Sequence, residues 1–100
     1  MEKKEPRYEF SADKNQLLIK ERHISFEEVI SAIGSGRLLD IIQHPNAKGY
    51  PGQKIYIVNI NGYVYAAPFV MKDQRTVFLK TIFPSRKLTR QYLNDQGDTL

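Results

Sequence analysis

The sequence predicts a single α+β domain in which two short helices cover an antiparallel β-meander and a third helix follows the sheet. Three observations support this fold class. Residues 13–33 show helical spacing with a capping signal, residues 38–83 change to strand-like apolar runs, and residues 85–92 return to a helical pattern. One hundred residues, 41% of them hydrophobic, suffice for one core. The domain is expected to span residues 1–100, with 1–7 as a flexible arm and 95–100 as a frayed tail.

The N-terminal third is expected to hold a short strand at residues 8–10 and then the two helices. Asp13 is the expected cap of the first helix, which ends near His23. Ser25 and Glu28 have the spacing of a capping box, so the second helix is expected to begin between them and to end at glycines that tolerate positive φ.

The remaining chain predicts four strands and the last helix. Asn61-Gly62 is the strongest short-range signal for a type I′ hairpin. Pro68 cannot donate a ladder hydrogen bond, so it predicts an edge, a bulge or a strand end. Ser85 is the expected cap of the last helix. The expected strands are residues 38–42, 54–60, 63–70 and 76–83.

Composition excludes several functional classes. The chain has no cysteine, which excludes disulfide scaffolds, thiolate metal sites and cysteine nucleophiles. The two histidines, His23 and His44, lack a metal-ligand spacing motif, so neither a metal nor another cofactor is predicted. No apolar run is long enough to cross a membrane. A cytoplasmic protein without a membrane partner is therefore expected, and the net charge of +4 favours an anionic partner.

The segment between Gln74 and Asn94 carries five basic residues and no Asp or Glu. Cations at a helix start oppose the helix dipole, which favours a role for Arg86 and Lys87 other than helix stability. Guanidinium groups match phosphate oxygens with paired hydrogen bonds, so Arg86 is interpreted as a phosphate ligand; a solvated basic face is the alternative. The five residues are Arg75, Lys80, Arg86, Lys87 and Arg90.

If the anion is RNA, cleavage without a metal becomes chemically accessible. A base removes a 2′-hydroxyl proton, the oxygen attacks the adjacent phosphorus, and cations stabilise the developing charge. Glu27 and His23 are the candidate bases, although the favoured interpretation of His23 is a left-handed helix cap. Lys80 is either a site residue or an outward-facing strand residue. Tyr92 either packs on the sheet or offers its hydroxyl to the substrate.

Three segments in this order resemble the BrnT family of bacterial toxins, within the RelE/ParE-like superfamily: residues 10–15, residues 24–29, and Pro84-Ser85-Arg86-Lys87 followed by Tyr92. The resemblance covers about residues 10–92. It implies a RelE-like fold and a ribonuclease that arrests translation by cutting RNA, either free or on the ribosome. It also implies neutralisation by a ribbon-helix-helix antitoxin, with operator DNA contacted only through that antitoxin.

The resemblance also assigns candidate residues. Aligned on the Ser-Phe-Glu-Glu segment, Arg22 falls at the family's histidine and His23 at its glycine, while the basic residue of the last strand falls at Thr81, next to Lys80. Absence of histidine at the family's position favours a second hypothesis, a non-enzymatic module that docks on its target or binds antitoxin in repression. The catalytic candidates are Arg86, Lys80, His23, Arg22 and Glu27. The nucleic-acid-binding candidates are Lys87, Arg90, Tyr92 and Arg75.

Overall fold

The computed structural model describes residues 5–93, which form three helices and a mixed six-stranded sheet, confirming the α+β class. The predicted tail at 95–100 and most of the predicted arm lie outside these residues, and Arg7 already belongs to a strand. The strands are β1 (Arg7–Glu9), β2 (Leu38–Gln43), β3 (Lys54–Ile60), β4 (Tyr63–Met71), β5 (Thr76–Leu79) and β6 (Phe83–Pro84). The helices are α1 (Ala12–Arg22), α2 (Phe26–Gly34) and α3 (Arg86–Leu93).

The sheet has the strand order β1-β5-β4-β3-β2, and β6 pairs with β4. Strands β2 to β5 form the expected antiparallel meander. β1 is added at the edge of this meander and runs parallel to β5, with Tyr8 opposite Val77, so the sheet is mixed. α1 and α2 carry the chain from β1 to β2 at the opposite edge of the sheet.

The ends of α1 are set by Ser11 and His23. Ser11 Oγ accepts a hydrogen bond from the Lys14 N–H at 3.1 Å, so Ser11 is the cap in place of Asp13. Asp13 lies in the first turn, where its charge favours the helix dipole. His23 adopts the left-handed conformation, with φ of 59°, and its N–H donates to the Ile19 carbonyl at 3.1 Å. His23 therefore caps α1.

α2 begins where the sequence predicts. Ser25 Oγ accepts the Glu28 N–H at 3.2 Å, and Phe26 is the first helical residue. The helix continues through Gly34, and the glycine with positive φ is Gly36, at 86°. The capping signal therefore predicted the start of the helix more accurately than the glycines predicted its end.

The Asn61-Gly62 hairpin is confirmed. Both residues have positive φ, 56° and 83°, as a type I′ turn requires. Asn59 Oδ1 accepts the Gly62 N–H at 2.9 Å and closes the turn. The hairpin sets the register of β3 against β4, which makes the most extensive strand pairing in the sheet.

The predicted strand at 76–83 is confirmed over residues 76–79, but it breaks after Leu79 and resumes as β6. Opposite the break lies Pro68, buried within β4 and not at an edge or a strand end. The Lys80 N–H donates to the Pro68 carbonyl at 2.8 Å. The nitrogen and the carbonyl of one residue in an antiparallel strand point to the same neighbouring strand. Because Pro68 has no N–H, β4 lacks a hydrogen-bond donor on the side where β5 ends.

Helices cover both faces of the sheet. On the first face, α1 and α2 pack on a buried cluster that includes Leu18, Phe26, Tyr56, Phe69 and Ile82. On the second face, α3 places Leu88 and Tyr92 against Ile55, Ile57, Val64 and Ala66. α3 thereby lies on the opposite side of the sheet from α1 and α2.

Asn15 joins the first two helices. Its side chain is 5% exposed, and its Nδ2 donates to Glu27 Oε1 at 2.9 Å. Its Oδ1 accepts the Phe26 N–H at 2.7 Å. One buried amide therefore satisfies a backbone donor at the start of α2 and holds the corner between the helices.

Replacing Asn15 with Ala is expected to lower the free energy of unfolding by about 1–3 kcal/mol, because the buried Phe26 N–H loses its acceptor. The measurement is a urea unfolding curve. Gln16→Ala is the matched control, because Gln16 is the next residue on α1 and is exposed. Equal unfolding midpoints for the two variants would contradict the role given to Asn15.

Candidate functional site

Ser85 and Thr89 fix α3 to the start of β4. The Ser85 N–H donates to the Val64 carbonyl at 3.0 Å, and Thr89 Oγ1 accepts the Val64 N–H at 2.8 Å. The Thr89 hydroxyl donates in turn to the Ser85 carbonyl at 2.7 Å. The start of α3 therefore bonds the Val64 backbone groups that would otherwise pair with a neighbouring strand. These bonds hold Arg86, the first residue of the helix, in place.

Three exposed cations lie on α3: Arg86, Lys87 and Arg90. Arg86 and Arg90 are one helical turn apart and repel each other. Within residues 5–93 the single ion pair joins Lys72 and Glu9, so no described carboxylate lies within 4.0 Å of the α3 cations. Among the residues that the structure describes, no carboxylate competes with an external anion for these charges.

Lys80 lies on the same side of the sheet as α3. β4 pairs Phe69 with Leu79, and the next position places Lys80 opposite Pro68. Pro68 lies on the second face with Ile55, its partner in β3. Lys80 is exposed, whereas Thr81 is half-buried. We refer to Lys80, Arg86, Lys87 and Arg90 as the cationic surface.

Arg22 contacts the chain segment that connects Lys80 to Arg86. Its Nη1 donates to the Ile82 carbonyl at 2.6 Å, which joins the end of α1 to the connection between β5 and β6. The guanidinium thus has a structural task in holding this connection. The contact also brings His23, the next residue and an exposed one, to the same region of the fold.

Glu27 lies at the helix corner. The hydrogen bond from Asn15 is the main cause that lowers the pKa of Glu27, and a lowered pKa weakens a carboxylate as a base. Asn15 and Arg22 are seven residues apart on α1, which corresponds to about 10 Å along the helix axis. The structure therefore does not bring Glu27 to the segment that Arg22 contacts.

Tyr92 and Arg75 also lie apart from that segment. The Tyr92 hydroxyl donates to Asp40 Oδ2 at 2.8 Å, and this bond raises the pKa of Tyr92. Arg75 precedes β5 and lies beside Arg7, whose N–H donates to the Arg75 carbonyl at 2.8 Å. Arg75 is five residues from Lys80, which corresponds to about 16 Å along an extended chain. Tyr92 therefore packs against the sheet, and Arg75 belongs to its other end.

Sequence reasoning missed Asn15 and Thr89, although both are polar residues in helical segments with apolar neighbours three or four positions away. It also missed Phe83 as a surface feature: Phe83 is the last residue of the expected strand 76–83, and it is 40% exposed. A polar residue on the apolar face of a predicted helix would have been the usable signal for the first two.

Comparisons of the chain with models of protein families, with curated proteins and with solved structures found no match. Among residues 5–93, no group of three His, Cys, Asp or Glu side chains could hold a metal ion. No helix in the same part of the chain is long and apolar enough to cross a membrane.

Removal of the Asn15 amide should also change the titration of Glu27. Because the folded pKa of Glu27 is lowered, ionised Glu27 stabilises the fold above its ordinary pKa of about 4.3, and this stabilisation is lost as the pH falls through the folded value. In Asn15→Ala, the pKa of Glu27 should rise towards the ordinary value. NMR titration of the carboxyl carbon measures it.

Asp73 is the internal control for that titration, because its pKa is lowered by the N–H groups of Arg75 and Thr76 and not by Asn15. Its pKa should be the same in both proteins. An unchanged Glu27 pKa in Asn15→Ala would show that another group lowers it.

Proposed function

We propose that the chain is the toxin of a type II toxin-antitoxin system, a metal-independent endoribonuclease that inhibits translation and is neutralised by a ribbon-helix-helix antitoxin. The cationic surface carries this proposal, because its four exposed charges lie on one side of the sheet without a described carboxylate partner. The motifs that resemble the BrnT family support the same function. A RelE-like arrangement is part of the proposal, and helices on both faces of a small sheet are compatible with it.

In the proposed reaction, the cationic surface binds an RNA phosphate. Arg86 offers paired N–H groups to two phosphate oxygens, and the Lys80 ammonium neutralises charge as a point cation. A base removes the proton of the 2′-hydroxyl, the 2′-oxygen bonds to phosphorus, and the bond from phosphorus to the 5′-oxygen breaks. The 5′-oxygen takes up a proton, and the products are a 2′,3′-cyclic phosphate and a 5′-hydroxyl.

His23 is the better candidate for the base. Its ring is exposed and follows Arg22, which contacts the connection leading to Arg86. Histidine is the side chain that most often serves as a general base. Glu27 is the weaker candidate, because its carboxylate accepts a bond from Asn15 and its pKa is lowered by that bond.

A second function, of a different class, is a non-enzymatic interaction module. The observation that favours it is that both candidate bases have a structural role: His23 caps α1, and Glu27 accepts a hydrogen bond from Asn15. Such a module would inhibit its target by docking, or would bind antitoxin and act at operator DNA through it.

Arg86→Ala is expected to weaken binding of a short RNA by about 10-fold and to reduce the salt slope of the binding constant by about 1, since one phosphate contact is lost. The free energy of unfolding should change by less than about 0.5 kcal/mol because the side chain is exposed. Fluorescence polarisation at several salt concentrations measures RNA binding and its salt slope. A gel assay follows RNA cleavage by the same proteins.

Arg37→Ala is the matched control for charge. Arg37 is exposed and three strand spacings from Ser85, about 14 Å away. Cleavage that is lost in Arg86→Ala and kept in Arg37→Ala supports the ribonuclease. Binding without cleavage by the unaltered protein supports the interaction module. Equal losses in both variants would show that net charge, and not the cationic surface, binds RNA.

His23→Gly separates chemistry from folding. Glycine adopts the left-handed conformation of residue 23 more readily than histidine, so the variant should be as stable as the parent or more stable. If His23 is the base, RNA cleavage should fall by about 100-fold or more, with RNA binding unchanged. Undiminished cleavage by this variant would remove His23 from the mechanism.

A further inference from the structure

An apolar groove of about 380 Å³ lies on the second face of the sheet, beside α3. Its floor consists of Ile55, Ile57, Ala66 and Pro68. These side chains belong to the two central strands, so the floor is rigid. α3 covers the neighbouring part of the same face but leaves this part open.

The walls of the groove are also held in place. On one side, His44 Nδ1 accepts the Asn46 N–H at 3.0 Å, and the His44 ring stacks on Tyr50 with centroids 4.1 Å apart. On the other side, Leu88 projects from α3, and Phe83 is 40% exposed at the rim. The groove is preformed, and a ligand would bind it without ordering the backbone first.

Cations lie along the α3 side of the groove. Lys87 is adjacent to Leu88, Arg86 follows Phe83 by three residues, and the Lys80 N–H is bonded to Pro68. None of the carboxylates of residues 5–93 lines the groove. Seven of them lie on α1 and α2, around β1 and in the turn before β5, whereas Asp40 lies on the second face, two residues from Ile42, and its Oδ2 accepts a hydrogen bond from the Tyr92 hydroxyl. These carboxylates are Glu5, Glu9, Asp13, Glu21, Glu27, Glu28, Asp40 and Asp73.

We propose that the groove binds an acidic amphipathic helix from a protein partner. Apolar side chains at helical spacing would fill the aliphatic floor, as in other helix-in-groove complexes, and carboxylates beside them would pair with Lys80, Arg86 and Lys87. RNA bases fit the floor of the groove poorly, because bases need aromatic or polar partners and the floor offers neither. The volume suits a few anchor side chains, which is how such helices bind.

Binding at this groove would regulate the proposed ribonuclease. Leu88 and Phe83 line the groove within three residues of Arg86, so a helix bound there would cover part of the cationic surface. Only this regulatory consequence rests on the proposed function. The groove and its charged rim are independent of whether the protein cuts RNA.

The test is a display selection of random peptides of about 15 residues, long enough for four helical turns, on the immobilised protein. Selected peptides are then labelled, and their binding is measured by fluorescence polarisation without RNA. Phe83→Ser removes an apolar side chain from the rim. Ile41→Ser is the matched control, because Ile41 is 48% exposed and pairs with Tyr56 on the opposite face.

Selected peptides should carry apolar residues at helical spacing together with Asp or Glu. Phe83→Ser should weaken their binding by about 10-fold, because an apolar contact at the rim is lost, and Ile41→Ser should leave it unchanged. Replacing the peptide's acidic residues with Lys should abolish binding. A further arm tests whether an excess of peptide displaces labelled RNA.

Several results would overturn the proposal. These are failure to enrich any peptide, enrichment of basic peptides, and equal effects of the two substitutions. A dimer that Phe83→Ser dissociates, seen by analytical ultracentrifugation, would assign the groove to a second copy of the chain. Peptide binding by a protein that neither binds nor cuts RNA would support the groove while rejecting the proposed ribonuclease.

Discussion

The connection between β5 and β6 is the constraint on which the functional surfaces of this protein depend. Pro68 has no N–H to offer a neighbour, so a continuous last strand would leave one carbonyl without its donor. The chain leaves the sheet after Leu79, buries Ile82 in the core of the first face and pairs with β4 again at Phe83. Arg22 donates to the Ile82 carbonyl from the end of α1. The break thus separates Ile82 from Phe83, whose ring lies on the second face with α3.

The attachment of α3 explains how basic residues are tolerated at a helix start. Each cation near the positive end of the helix dipole costs about 0.3–1 kcal/mol. Burial of a side chain such as Leu88 contributes about 1.5–3 kcal/mol when complete, and Thr89 adds two hydrogen bonds to the packing. Packing and hydrogen bonding on one side of α3 therefore outweigh the electrostatic cost on the other. The helix can carry Arg86 and Lys87 because its stability comes from elsewhere.

The sequence predicted features that depend on a few adjacent residues. The cap at Ser25 and the turn at Asn61-Gly62 involve only residues within four positions along the chain, and both lie where the pattern indicated. The parallel pairing of β1, the break after Leu79 and the bonds of Asn15 depend on segments far apart in the chain. The site divides in the same way. The exposure of Arg86 followed from local pattern, whereas the separation of Glu27 and Arg75 from Lys80 follows from topology alone.

The position of His23 links the fold to the proposed chemistry. A residue other than glycine in the left-handed region costs about 1–2 kcal/mol, somewhat less for histidine. As a cap alone, histidine is therefore inferior to glycine, and capping does not account for its side chain. The ring is exposed beside Arg22, whose guanidinium holds the connection that carries Lys80. The ribonuclease proposal thus depends on the end of α1, on the first face, while the groove depends on α3, on the second. Cleavage by these residues therefore requires RNA to pass around the connection between β5 and β6, from Arg86 on the second face to His23 at the end of α1.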